Sequence, residues 1–280
     1  CWCFPFRNSR NCMMTKKRLS IPTVLAALLA ICSTMAIPCA ADAQEFVASQ
    51  GKPADMSKPV QVYILMGQSN MTGGGVVESD DRNPVPGVVF IPPRELDWEP
   101  AAHPLHRPGR GFGLGLSFAR TYQKNHPGVT VGLIPLARGG AQINKLHKGT
   151  DVYAEALKKA AIAKQSGAVK GVLWHQGESD TVHEFLAVGY EETLHALIND
   201  LRTDLKDSSL PFVVGNLAPE YGTGVAHNAP AYLERIKKVR KVLRGLPGKM
   251  ANAGFAESTG GTTSDKVHFD RKSYIMLGEN

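Results

Sequence analysis

The sequence predicts an α/β protein, a parallel sheet with helices covering both faces in a single domain. Three observations predict it. Apolar runs of strand length alternate with longer segments whose apolar residues recur at helical spacing. Strands joined through helices run parallel, and such sheets are buried on both faces. Several strand runs stop abruptly at glycine or polar residues, the place where open α/β sheets carry ligand sites.

The chain begins with a targeting segment. Lys16, Lys17 and Arg18 form a basic region, an apolar stretch covers residues 19–37, and Ala41-Asp42-Ala43 has the pattern of a cleavage site. Residues 1–43 therefore read as upstream residues plus a secretory signal peptide, with Met14 as the start and cleavage near Ala43. Pro22 and Pro38 interrupt the apolar run and argue against a retained anchoring helix. Ile31 or Pro38 precedes Cys32 or Cys39 where a lipid anchor would want a small residue. The expectation is a secreted or periplasmic protein with no stable membrane association after cleavage.

All five cysteines lie in that leader, so the mature chain has no disulfide, cysteine nucleophile or thiolate metal site. The leader holds five Lys/Arg and one Asp, so +4 of the formal +7 leaves with it and +3 remains. That excess is too mild to argue for a nucleic-acid partner.

Residues 44–280 suffice for one domain with its own core. Residues 44–58 are a polar lead-in. Residues 62–66 form a buried strand, stopped by Gly67. Residues 80–111, rich in Pro, Arg and Gly, are expected to form long loops of the kind that line binding sites. Residues 113–126 read as a helix. Residues 129–137 are an apolar strand that ends at Arg138-Gly139-Gly140. An alanine-rich helix follows over 152–167. Residues 169–174 are a strand ending in His175-Gln176-Gly177-Glu178. Residues 189–205 are an amphipathic helix with Tyr190, Leu194, Leu197, Ile198, Leu201 and Leu205 on one face. Residues 211–217 are a strand, 229–246 a helix, and 251–256 a short final strand. In the 229–246 helix, Lys237, Lys238, Arg240, Lys241 and Arg244 read as a solvated charged face. A loop over 265–269 precedes a last helix from Arg271, which the end at Asn280 makes read as truncated. Right-handed crossovers place the post-strand loops along one edge of the sheet.

Those loops carry candidate chemistry. Ser69 ends the first strand and becomes a nucleophile if a base reaches it; by itself the segment reads as a polar turn, so Ser69 needs support from elsewhere in the chain. It is not a G-x-S-x-G elbow, because Met71 stands where the second glycine would be. His268 is the candidate base. Asp265, three residues earlier, can accept from its ring N–H and so fix the tautomer that leaves the other nitrogen facing Ser69. Gly139-Gly140 permits a tight turn with an exposed N–H. Gln176 offers an amide N–H₂ at a strand end. His175 is a rival base beside Trp174, and His103, His106 and Arg107 are candidate binding residues in the long loop. No His/Asp/Glu cluster has metal-ligand spacing, and no cofactor is expected.

G-Q-S-N-M, R-G-G-A, W-H-Q-G-E-S-D and S-D-K-V-H-F-D, in that order over residues 67–270, resemble the blocks of the SGNH-hydrolase superfamily. The branch they resemble most is that of carbohydrate esterase family 6 acetyl xylan esterases and sialate O-acetylesterase-like proteins. The resemblance implies a single three-layer α/β/α sandwich with a flavodoxin-like parallel sheet. It implies Ser69 as nucleophile, His268 as base and Asp265 as its orienting carboxylate. It also implies an oxyanion hole of the Ser69 N–H, the Gly140 N–H and the Gln176 side chain, with Gly139 as the alternative glycine. Glu178 belongs to the motif without an assigned role beyond that of a buried supporting partner. The implied activity is removal of O-acetyl groups from an acetylated carbohydrate, either a xylan or a sialate, by a serine esterase. The alternatives are a general short-chain carboxylesterase or lipase, and a noncatalytic carbohydrate-binding protein on the same scaffold.

Overall fold

The computed structural model of the protein describes residues 56–106 and 111–280. The leader, its cysteines and Arg107 lie outside the described residues. The first strand, β1 (Val60–Gly67), is central because almost every residue in it is buried. It pairs in parallel with β4 (Val131–Pro135) on one side and β5 (Gly167–His175) on the other. The sheet continues to β2 (Val88–Phe90) and β3 (Glu99–Pro100) beyond β4, and to β6 (Phe212–Gly215) and β7 (Ala253–Ala256) beyond β5. The order is β3-β2-β4-β1-β5-β6-β7, and all pairs are parallel except β2 with β3.

β2 and β3 correct the expectation of loops throughout residues 80–111. The run Val88-Val89-Phe90 is too short for a periodic signal and is followed by Pro92-Pro93, which cannot donate to a ladder. β3 is two residues long and holds a proline, which an edge strand tolerates.

Helices cover both faces. Gln61, Tyr63 and Leu65 point to the face of α2 (Gly115–Asn125). Tyr122 Oη donates to Gln61 Oε1 at 2.6 Å, and Tyr63 meets the Phe118 ring edge-on at 4.7 Å. α6 (Arg271–Glu279) packs beside α2. The opposite face carries α3 (Asp151–Ala163), α4 (Glu184–Asp204) and α5 (Pro230–Gly245). There the Trp174 indole N–H donates to Tyr190 Oη on α4 at 3.3 Å. The six residues expected on the apolar face of α4 are all buried. Truncating one of them, such as Leu197→Ala, would cost about 2–5 kcal/mol.

α4 begins five residues before its expected start. Its first turns place Phe185 and Val188 in solvent, while Leu186 and Ala187 carry the buried face one turn back from Tyr190. On α5, Lys237 and Lys238 are solvent-facing and paired with Glu234 and Glu184. Arg240 departs from that face and turns inward, donating to the carbonyls of Leu217, Ala218 and Tyr221.

Candidate active site

The site forms where β1 and β5 end side by side. Gly67 lies so close to β5 that a Cβ on it would sit 2.0 Å from the His175 carbonyl oxygen, and its φ of 144° also favours glycine. Gln68 follows, and its carbonyl accepts from the N–H groups of Met71 and Thr72. This starts a single helical turn, α1 (Ser69–Thr72), with Ser69 as its first residue. The first N–H groups of a helix have no partner within it. The Ser69 N–H accordingly takes none among the described residues.

Ser69 Oγ lies 3.0 Å from His268 Nε2. His268 Nδ1 lies 2.7 Å from Asp265 Oδ2. The other carboxylate oxygen of Asp265 accepts from the backbone N–H of His268 at 2.7 Å and of Val267 at 3.0 Å. Partial burial works to raise the Asp265 pKa, but these donors outweigh it and hold the carboxyl below the ordinary aspartate range. An ionised Asp265 requires the ring proton on Nδ1, which leaves Nε2 to accept from Ser69. A hydroxyl held in this way can be deprotonated as it attacks a carbonyl.

The R-G-G-A turn stands next to this row. Arg138 N–H donates to the Gly67 carbonyl at 3.0 Å, and Ala141 N–H closes the turn on the Arg138 carbonyl at 3.1 Å. Gly140 adopts φ 72°, a conformation that favours glycine. Gly139 and Gly140 are exposed, and neither N–H has a partner among the described residues. Arg138 is fixed by a two-fold contact with Asp151, at 2.9 and 2.6 Å.

Gln176 is a correction. It is fully buried, and its amide N–H₂ already donates to Gln68 Oε1 at 3.2 Å, to the Ala141 carbonyl at 3.1 Å and to Asp180 Oδ2. No N–H remains for an oxyanion. The residue instead ties the glycine turn to the end of β1. Gln68 Oε1 also accepts from the N–H groups of Gly177 and Ser179. Burial raises the Asp180 pKa to about 6, against the opposing pull of the Gln176 and Ile143 donors.

The histidine alternatives are also placed. His175 is fully buried, donates from Nε2 to the Asn216 carbonyl at 3.0 Å and meets the Phe269 ring edge-on. Burial lowers its pKa, so it stays neutral, and it packs rather than facing Ser69. His103 and His106 are buried, with pKa values pushed down to about 4 and about 3 chiefly by desolvation. The His103 ring lies tilted against Phe112, and His106 Nδ1 accepts from the Ala137 N–H. Neither ring is exposed, and His106 lines the cavity at the end of β4.

The sequence reading gave Gln68 and Asn70 no role, although both stand in the quoted G-Q-S-N block. The available signal was their composition: two amides beside a serine at the end of an apolar strand must find buried partners. Asn70 finds Glu178, whose Oε1 accepts from its Nδ2 at 2.6 Å. A cavity of about 700 Å³ opens at the end of β4, lined among others by Arg94, Glu95, Arg138 and Glu155.

Residues 59–280 match the family model described as carbohydrate esterase, sialic acid-specific acetylesterase. A probable carbohydrate esterase of Arabidopsis thaliana is 32% identical over 242 residues, which span 79% of this chain and 88% of that protein. An X-ray structure of an Arabidopsis thaliana protein superposes with a TM-score of 0.67 at 32% identity, covering 79% of this chain and 95% of that one. The structure of a carbohydrate acetylesterase from Xanthomonas citri superposes with a TM-score of 0.55 at 20% identity, over 78% of this chain and 54% of that one.

Proposed function

The chain belongs to the carbohydrate esterase family of sialic acid-specific acetylesterases, and on that premise we propose that it removes O-acetyl groups from carbohydrate through an acetyl-serine intermediate. The observation that carries the reading is the row Ser69 Oγ, His268 Nε2, His268 Nδ1, Asp265 Oδ2, with spacings of 3.0 and 2.7 Å. Ser69 Oγ attacks the acetyl carbonyl carbon while its proton passes to His268 Nε2. Asp265 stabilises the imidazolium across Nδ1. The negative charge on the carbonyl oxygen falls to the Ser69 and Gly140 N–H groups, which have no other partner among the described residues. The sugar oxygen leaves with the His268 proton. Water then attacks the acetyl-serine by the same route, and acetate is released.

The basic, apolar and small-residue pattern of residues 16–43 supports action outside the cytoplasm. The test is acetate release from 4-nitrophenyl acetate and from a panel of acetylated xylan and sialate substrates. Ser69→Ala should abolish release from all of them while the protein stays folded. Wild-type turnover by folded Ser69→Ala would sink the scheme, and turnover of the phenyl ester without any glycan would move the reading to a general short-chain esterase.

A further inference from the structure

We infer that Asn70 positions His268 against Ser69 and that Glu178 sets the orientation in which Asn70 does so; this rests on the reading of Ser69 and His268 as nucleophile and base. Asn70 is fully buried and follows Ser69 in the chain. Its Nδ2 donates to the Val267 carbonyl at 3.0 Å, and its Oδ1 accepts from the Phe269 N–H at 3.2 Å. A neighbouring parallel strand makes the same pair of bonds, to a carbonyl and to the N–H two residues on. The residue between then has its own N–H and C=O turned the other way. His268 has this arrangement: its N–H donates to Asp265 Oδ1 at 2.7 Å, and its carbonyl accepts from the Ser264 N–H at 2.9 Å. One side chain, anchored next to the nucleophile, thus fixes the backbone on both sides of the base.

A carboxamide turned over by half a rotation keeps its shape but exchanges donor and acceptor. Glu178 prevents that exchange. Its Oε1 takes the second N–H of Asn70 at 2.6 Å, while Tyr274 Oη donates to Oδ1 at 2.8 Å. All four hydrogen-bonding positions of the amide are filled. Turned over, the oxygen would face the Glu178 carboxylate and the Val267 carbonyl, and the N–H₂ would face the Phe269 N–H. Buried contacts of that kind, acceptor on acceptor and donor on donor, are strongly unfavourable. Glu178 therefore acts on the reaction without touching substrate. Both it and Asn70 are positioning residues.

The experiment compares wild type, Asn70→Ala, Glu178→Ala and Glu178→Gln in two assays. One is steady-state hydrolysis of 4-nitrophenyl acetate. The other is the rate at which diisopropyl fluorophosphate labels Ser69, which reads the Ser69–His268 pair without any acetyl substrate. Asn70→Ala should lower kcat by about 10²-fold with KM within about twofold, and labelling should slow in parallel. Glu178→Ala should lose about tenfold, and Glu178→Gln, which still accepts from Asn70, should return to within about threefold of wild type. If Asn70→Ala does not fold, the two Glu178 variants decide. Melting without a change in kcat or labelling would make the network structural only and overturn the inference, as would a loss confined to KM. If wild type neither turns over nor labels, the catalytic reading falls and takes this inference with it. If wild type does both and Ser69→Ala does neither, unchanged rates in the Asn70 and Glu178 variants overturn this inference alone.

Discussion

Replacing Asp265 by asparagine tests the tautomer directly. Asp265 uses one oxygen for two backbone N–H groups, of Val267 and His268, and the other for His268 Nδ1. An asparagine at this position has only one oxygen to offer. Placed toward the backbone it keeps two bonds; placed toward Nδ1 it keeps one. The backbone-facing orientation wins by the one extra bond, about 0.5–1.5 kcal/mol. The amide N–H₂ then faces Nδ1 and turns that nitrogen into an acceptor. The ring proton moves to Nε2, which can no longer take the proton of Ser69. Asp265→Asn should lower kcat on 4-nitrophenyl acetate by about 10²–10⁴-fold, with KM little changed. Asp265→Ala imposes no wrong tautomer, so it should be no slower than Asp265→Asn despite losing more contacts. An Asp265→Asn enzyme with more than about a tenth of wild-type kcat, or one clearly faster than Asp265→Ala, would refute the assignment of the tautomer to Asp265.

Asp180, with a pKa of about 6 against an ordinary 3.8, binds its proton more tightly folded than unfolded, so its contribution to stability falls as pH rises from about 4 to about 6 and is level on either side. Asp180→Asn removes that slope, and the difference between the two urea-unfolding free energies should change by up to about 3 kcal/mol across the window; parallel curves would refute the burial argument. Chelator should leave the esterase rate unchanged, because each proposed step uses a side chain or backbone N–H of the protein; loss of activity reversed by a divalent ion would reject that scheme.

Much of the site was legible because it depends on spacing within short segments. His268 follows Asp265 by three positions, and a turn of that length brings one carboxylate oxygen back to the ring and the other to the backbone. Ser69 was legible as a polar residue ending an apolar strand. The strands and helices were legible wherever they were long enough to show a period, which β2 and β3 are not. What the sequence could not reveal was the direction of buried amides. Gln176 has the right chemistry for an oxyanion donor, but its N–H₂ direction is decided by Asp180, Gln68 and the Ala141 carbonyl, the last two of them acceptors from other parts of the chain. Asn70 meets Val267 across 197 positions of sequence, so no local pattern carries that contact.

The two unassigned amides and Glu178 nevertheless follow a rule that the sheet itself supplies. In the parallel ladder of β1 and β5, Met66 faces Trp174 and Gly67 faces His175, an offset of 108 positions. Beyond the strands the offset persists in side chains: Gln68 bonds Gln176, and Asn70 bonds Glu178, each again 108 apart. The blocks G-Q-S-N and H-Q-G-E are therefore two sides of one ladder, continued by amides and a carboxylate after the backbone pairing ends. Ser69 falls between the two rungs, and the residue at the same offset is Gly177, which has no side chain to reach across to it. Ser69 Oγ instead meets His268. The register held over Tyr63–Gly67, after a one-residue shift beyond Val62, is in this way extended to the nucleophile, and one residue inserted between Gly67 and Gln68 would break both rungs at once.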